Sequence, residues 1–404
     1  MRIVIVANYP SNLNGSSSKG RFIYLAEMLM ECGHQVELIV SDFIHGSKCH
    51  RQKDSINQSA YKTKITVLHE PGYKTNVCLQ RLISQSVWGK NVAKYLNQME
   101  FVPDLLYCAV PSLTACREAM KYSKKHPRTK FVVDIQDIWP EAFAMVLPKA
   151  ISWVLAPIKW YVDSFYSQAD AVIAVSDTYR DRGLSVNVRD AKGLTVYLGN
   201  NGQLFDEGRE HNWVNRDDNE IWLAYIGTLG YSYDIPCVLE AMTIYKKKHH
   251  ESKPIRFVVM GKGPFRTQWE NEAKQRGLLC EFTGTLPYPE MVGKMCSCDI
   301  VVNPIRHGAA QSITNKVGDY ALSGLPVIST QENAEYRSLL EEYDCGINCD
   351  CGNADQVAEA IYRLVNNKEE RQRMGANARR LGLERFDRKS SYGQIVKLVE
   401  TICE

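Results

Sequence analysis

The 404-residue sequence has no excess of one charge, no long apolar run and no ordered cysteine framework. Its 49 Lys and Arg residues are nearly matched by 46 Asp and Glu. The resulting net charge of +3 excludes a nucleic-acid binder that works through a strong basic surplus. No window reaches the ~18 consecutive apolar residues that a membrane span requires. The first residues, one Arg followed at once by an apolar strand pattern, do not read as a signal peptide. The 13 cysteines are odd in number and scattered, unlike the framework of a small secreted domain. Heptads, low-complexity tracts and long internal repeats are missing too. The expectation is a cytoplasmic protein in a reducing compartment, at most attached to a membrane face.

What is present is one grammar used twice. An apolar run at residues 3–7, a polar Gly/Ser/Asn loop at 11–20, an amphipathic stretch at 22–31 and a second apolar run at 36–40 read as strand, loop, helix and strand. The pattern recurs with runs at 105–110, 131–134, 171–175 and 194–197, each separated by helical periodicity. A polar stretch at 200–220 interrupts it. It then restarts with runs at 222–226, 257–260, 299–304 and 327–330. Short apolar runs alternating with helices imply parallel strands covered on both faces. The predicted architecture is α/β, with two doubly wound parallel-sheet domains, residues 1–200 and 201–385. Helical periodicity without strands continues to the C-terminus. Residues 386–404 form a terminal helix that is free to pack back on the first domain. In open parallel sheets ligands sit beyond the carboxyl ends of the strands, so a central cleft between the sheets is the expected site.

Four loops at such ends carry candidate chemistry. The first, containing Asn14 and Gly15, is rich in small residues but has the spacing of neither a dinucleotide fingerprint nor a P-loop; a surface turn and a ligand loop are equally compatible with it. The second holds Asp134, Asp137, Trp139 and Glu141. Carboxylates there hold sugar hydroxyls or accept a proton, or else one of them caps the next helix. The third pairs Gly227 and Thr228 with Gly261 and Lys262 after successive strands, which reads as a rim facing a phosphate or nucleotide. The fourth is the most informative: Arg306, Gln311, Ser312, Ile313, Thr314, Lys316 and Asp319 span a strand end, a polar loop and a helix start near Ser312. Arg306, Lys316 and the first N–H groups of that helix suit a diphosphate, and Asp319 one turn on suits the hydroxyls of a ribose. An ordinary capped helix is the plain alternative.

The ordered series of Gly33-His34, Ala174-Val-Ser176, Asn200-Asn201-Gly202, Gly227, Gly261-Lys-Gly-Pro264, Phe282-Thr-Gly284 and Lys316…Asp319-Tyr…Gly324-Leu-Pro-Val resembles the retaining glycosyltransferases of the two-Rossmann-domain (GT-B) type, family 4. The Asp137-Ile-Trp-Pro-Glu141 segment resembles the branch that builds bacterial surface polysaccharides and lipid-linked oligosaccharides. The resemblance implies a nucleotide-diphosphate sugar, by family frequency a UDP-sugar, held by the second domain. It implies a glycan or polyprenyl-diphosphate-linked acceptor held by the first, with no metal and no other cofactor. The family's paired glutamates fall on Gln311 and Asp319, and its Arg/Lys pair after Gly227 is replaced by Thr228 and Tyr233 or Asp234. The diphosphate cations are therefore assigned to Arg306 and Lys316 ahead of Lys262, and the sugar-facing carboxylate to Asp137. Donor contacts go to Gly227, Thr228, Gly261, Lys262, Gln311, Ser312, Ile313, Thr314 and Asp319. Acceptor contacts go to Asn14, Gly15, Asp134, Trp139 and Glu141. An epimerase of the same fold and a catalytically silent nucleotide-sugar binder are the competing readings.

Two further patterns complete the sequence. The stretch 145–168, with Trp153, Trp160, Tyr161, Phe165, Tyr166, Lys149 and Lys159, suits a lipid interface or a core helix. A second aromatic and basic stretch at 79–96 (Arg81, Trp88, Lys90, Lys94, Tyr95) and the basic run at 121–130 lie in the same domain, so peripheral contact with the inner membrane surface is expected. Cys345 and Cys349 have a spacing that zinc uses, but no His lies nearby and no second pair completes four ligands.

Overall fold

A computed structural model describes residues 1–9, 13–14, 19–52, 56–76, 78–141, 153–216, 219–249, 252–309 and 313–404. The chain divides into two units, Met1–Tyr197 with Tyr392–Glu404, and Leu198–Ser391.

The first unit contains β1 (Arg2–Val6), α1 (Arg21–Glu31), β2 (Gln35–Ser41), β3 (Phe43–Ile44), β4 (Cys49–His50), β5 (Lys64–Leu68), α2 (Leu79–Gln98), β6 (Leu105–Val110), α3 (Leu113–Lys125), β7 (Lys130–Ile135), α4 (Ala156–Tyr166), β8 (Ala171–Ala174), α5 (Asp177–Leu184) and β9 (Lys192–Thr195). Seven strands form one parallel sheet in the order β5-β2-β1-β6-β7-β8-β9, and β3 and β4 make a separate antiparallel ribbon. The runs are apolar throughout because both faces are covered. Val4 and Val6 pack with Trp88, Val92 and Ala119, while Ile3 and Ile5 pack with Leu25, Ile395 and Val399. This is the two-residue alternation of a strand read on two faces.

The second unit contains α6 (Gly202–His211), β10 (Ile221–Ile226), α7 (Ile235–Lys248), β11 (Ile255–Met260), α8 (Arg266–Gln275), β12 (Leu279–Gly284), α9 (Tyr288–Cys296), β13 (Ile300–Asn303), α10 (Asn315–Ser323), β14 (Val327–Ser329), α11 (Ala334–Glu342), β15 (Gly346–Asn348), α12 (Ala354–Asn366) and α13 (Lys368–Leu381). Its six strands are again parallel, in the order β12-β11-β10-β13-β14-β15. The last helix, α14 (Arg388–Cys403), starts in the second unit. From Tyr392 onwards it belongs to the first, where Tyr392, Ile395, Val396 and Val399 join the core beside β1.

In each sheet the strand order reverses beside the first strand, between β1 and β6 and between β10 and β13. The carboxyl ends at these switch points are where ligands bind in such sheets. Two expectations need adjusting. The polar stretch at 200–220 is not simply a break, since it contains α6, capped by the Asn201 side chain, which accepts from the N–H groups of Gln203 and Leu204. Only Gly202, Phe205 and Gly208 of this helix are buried, too thin an apolar stripe to mark it by periodicity. Trp88, expected on an interfacial face, is fully buried in the sheet-covering side of α2, where its Nε1 donates to Ser112 Oγ at 2.9 Å.

Candidate active site

In the second unit the loops leaving β10, β11 and β12 and the first turns of α10 line a cavity of about 400 Å³. Gly227, Thr228, Gly261, Lys262, Lys316 and Asp319 are among its walls. The two glycine loops are laid directly on one another. The Gly227 N–H donates to Met260 O at 3.0 Å, and the Leu229 N–H to Lys262 O at 2.9 Å. A Cβ on Gly261 would collide with the Gly227 carbonyl, so the approach requires glycine. The rim expected from successive strands is thus one continuous wall.

Helix α10 supplies the charged side. It starts at Asn315, three residues later than the sequence pattern suggests, with Thr314 as an extended N-cap whose side chain makes no capping bond. The helix ends at Gly324, which adopts the left-handed conformation at φ 70°. Thr314 Oγ1 and Lys316 Nζ are both buried without a hydrogen-bond partner among the described residues. Lys316 is 8 % exposed, and its ammonium lies 3.8 Å from the ring centroid of Tyr233 and 4.8 Å from that of Tyr225. Burial drives its pKa well below the ordinary lysine value. One turn on, Asp319 Oδ1 accepts from Asn200 Nδ2 at 2.6 Å and from Tyr288 Oη at 2.8 Å. Burial pushes its carboxyl up to about 7 against the opposing pull of Tyr288 and Arg388. An acid and a base, each held toward its neutral form by burial in the wall of one open cavity, mark a site built to receive charge from a ligand.

The remaining donor candidates separate. Ile313 is buried, and neither it nor Thr314 is among the residues lining the cavity. Gln311 and Ser312 lie outside the described residues. Arg306 is exposed and is not among the residues lining the cavity; its backbone N–H donates to Ser232 O at 3.0 Å. Among the described residues the cation at the cavity is therefore Lys316, with exposed Lys262 on the rim, rather than Arg306 and Lys316 together. Asn200 and Tyr288 escaped the sequence assignment. Asn200 sits in a motif that was visible, but nothing in the order of residues places Tyr288 against Asp319.

In the first unit the carboxylate loop divides by burial. Asp134 is fully buried in β7. Arg21 Nε donates to its Oδ2 at 2.8 Å, Arg21 Nη2 to its Oδ1 at 3.1 Å, and Tyr107 Oη to its Oδ2 at 2.7 Å. Both oxygens are thus occupied, and Asp134 is a structural anion, neither an acceptor ligand nor a helix cap. Glu141 is likewise engaged by Arg182, which also holds Asp163. Trp139 is 6 % exposed, with Arg81 stacked 4.8 Å from its ring, so it packs as a wall instead of offering an open platform. Asp137 and Glu141 are both half-buried, but Asp137 is not paired with an arginine among the described residues. It accepts from Trp139 Nε1 at 3.2 Å, and burial raises its pKa. Asn14 is exposed and Gly15 lies outside the described residues. Lys149 also lies outside them; Trp153 and Trp160 are exposed, whereas Phe165 and Tyr166 are core residues. All 13 cysteines are free thiols.

Residues 206–381 match the family model for glycosyl transferases group 1. The O-antigen chain mannosyltransferase C of Escherichia coli is 23 % identical over 245 residues, 60 % of this chain; the match spans 63 % of that curated relative's length. Among solved structures, a glycosyltransferase from Rickettsia africae aligns over 100 % of this chain and 98 % of its own, with a TM-score of 0.69 at 13 % identity. The sucrose-phosphate synthase of Thermosynechococcus elongatus aligns over 100 % and 99 %, with a TM-score of 0.66 at 14 % identity. Anabaena Alr3699/HepE in complex with UDP aligns over 99 % and 100 %, with a TM-score of 0.65 at 14 % identity. These likenesses establish the GT-B fold.

Proposed function

We propose that the protein is a glycosyltransferase that moves a sugar from a nucleotide-diphosphate sugar, with UDP the first nucleotide to test, to a glycan or polyprenyl-diphosphate-linked saccharide in surface-polysaccharide synthesis. The observation that carries the reading is the buried, unpartnered Lys316 ammonium beside Asp319, at the strand ends of the unit that matches the glycosyltransferase model. A departing diphosphate has to be neutralised as the glycosidic carbon loses it. The first N–H groups of α10, and Lys316 once the arriving diphosphate favours its protonated form, supply positive potential there without a metal. Asp319 accepts the paired hydroxyls of the ribose. The UDP complex of Alr3699/HepE and the O-antigen mannosyltransferase support the donor and acceptor classes.

In the proposed retaining step the acceptor oxygen attacks the anomeric carbon from the face the diphosphate leaves. The bond to the phosphate oxygen breaks, and the acceptor proton passes to that oxygen, so no protein nucleophile is needed. Asp137 is the carboxylate of the first unit that stays available to a sugar hydroxyl. Incubating nucleotide sugars with acceptor extract and following the anomeric signals by NMR tests the reading. Transfer that survives EDTA and is lost in Lys316→Ala supports it, while intact transfer in that variant sinks the site. Conversion of the donor without acceptor would instead mark an epimerase, and binding without any turnover a silent binder.

A further inference from the structure

At the carboxyl edge of the first sheet a group of cations and unpartnered donors is left unused by the donor site. Lys48, in the turn between β3 and β4, donates to Asn76 Oδ1 at 2.6 Å and lies 4.8 Å from the Tyr73 ring centroid. Arg81, in the first turn of α2, is 9 % exposed. Its guanidinium sits 5.5 Å from the Tyr73 centroid and 4.8 Å from that of Trp139. His45 bonds the Tyr73 hydroxyl, which also meets Tyr9 Oη at 2.9 Å. Among the described residues neither Lys48 nor Arg81 forms an ion pair with a carboxylate. The acids that act on Arg81 electrostatically, Glu70 and Asp137, are both pushed toward their neutral forms by burial.

Among the described residues three buried nitrogen donors at this edge have no partner: Asn8 Nδ2 after β1, Arg81 Nε, and Gln136 Nε2 after β7. A neutral sugar face needs acceptors as well as donors. Two uncompensated cations with three spare N–H groups suit an oxyanion with several oxygens. We propose that this edge is an anion subsite that takes a phosphate or diphosphate group carried by the acceptor. The proposal rests on the glycosyl-transfer reading above. Arg81 offers its Nε edge and Lys48 a point charge, while Tyr73, Trp139 and a 2.8 Å bond from Arg81 Nη1 to Asn76 O hold the guanidinium in place. The outer side of the same two turns of α2 exposes Leu79, Leu82 and Ile83, at 78, 50 and 62 %. A phosphate borne on a lipid would meet both features, whereas a soluble sugar phosphate would use only the first.

Calorimetric titration of inorganic pyrophosphate into the full chain saturated with UDP tests the subsite. Saturation removes Lys316 from the competition. Binding should weaken at least tenfold in Arg81→Gln and in Lys48→Asn, with UDP affinity unchanged in both and the unfolding midpoint unchanged in Lys48→Asn. Lys48→Asn is the variant safe for the fold, because Lys48 occupies a left-handed φ of 57° that asparagine tolerates. Equal pyrophosphate affinity in the native chain and Lys48→Asn, or no binding to the UDP-saturated chain, would overturn the proposal. UDP that fails to bind overturns the donor site instead, and the same two substitutions placed in a Lys316→Ala chain then decide the subsite alone. Phosphatidylcholine vesicles with and without phosphatidic acid identify the source. Capture that needs phosphatidic acid and is competed by pyrophosphate assigns the phosphate to a lipid, and pyrophosphate binding without vesicle capture assigns it to a soluble acceptor.

Discussion

At the residue scale, two aspartates of opposite status show how burial decides function. Asp134 and Arg21 neutralise each other inside the first sheet, and Arg21 also donates to the carbonyls of Val196 and Tyr197. Removing one member of such a pair strands the other as an uncompensated buried charge. Asp134→Ala should therefore cost about 3–5 kcal/mol in urea unfolding, a loss of stability and not a selective loss of acceptor affinity. Among the described residues Asp319 forms no ion pair, its hydrogen-bond partners being Asn200 and Tyr288. Its ordinary value is 3.8 and burial raises it to about 7, so the fold prefers the protonated carboxyl. That preference is fully present below about pH 4 and is lost as the pH rises through about 7, at a cost of a few kcal/mol. Asp319→Asn keeps an oxygen for Asn200 and Tyr288. The variant should unfold at a higher temperature than the native chain above pH 7 and at the same temperature near pH 4. UDP should bind it at least tenfold more weakly by calorimetry, since a charged hydrogen-bond acceptor is worth about 1.5–3 kcal/mol.

At the scale of elements, what was legible in the sequence follows from what is local. Parallel strands covered on both faces must be apolar at every position, and runs such as that of β10 announce themselves. The glycines at 227 and 261 mark a wall because the strands before them are neighbours in the sheet. What stayed hidden depends on partners far along the chain. Asp134 meets Arg21 across 113 residues, and Asp319 meets Asn200 across 119. Arg81 and Trp88 looked alike as basic-aromatic surface, yet one faces Tyr73 and the other the core. The stacked loops give a test at this scale. Gly261→Ala must push the β11 loop away from the Gly227 carbonyl, with a cost of about 1–3 kcal/mol for overpacking. UDP binding should be lost while the far-ultraviolet circular dichroism stays unchanged; unaltered binding would show that this wall does not touch the nucleotide.

For the whole molecule, the near-neutral charge conceals an uneven distribution. Among the described residues no helix is long and apolar enough to cross a membrane. The first unit nevertheless exposes Trp153 at 73 % and Trp160 at 77 %, together with the apolar start of α2 and the basic end of α3 (Lys124 and Lys125). Scattered exposed apolar residues are ordinary, but tryptophans interleaved with lysines favour an interface where one side is greasy and the other anionic. Each basic residue near an anionic surface adds roughly 1 kcal/mol, a contribution that salt screens over about 10 Å at 0.1 M. If the proposed acceptor is carried on a lipid, the first unit has to reach that surface, and the charge and the tryptophans must act together. Flotation with phosphatidylglycerol vesicles should capture the full chain at low salt and release most of it at 0.5 M, roughly, where screening shortens to a few ångströms. Trp153→Ser with Trp160→Ser should abolish capture at every salt concentration without altering UDP affinity. Binding that ignores both salt and the tryptophans would remove the membrane from the reading, leaving a soluble acceptor as the substrate to seek.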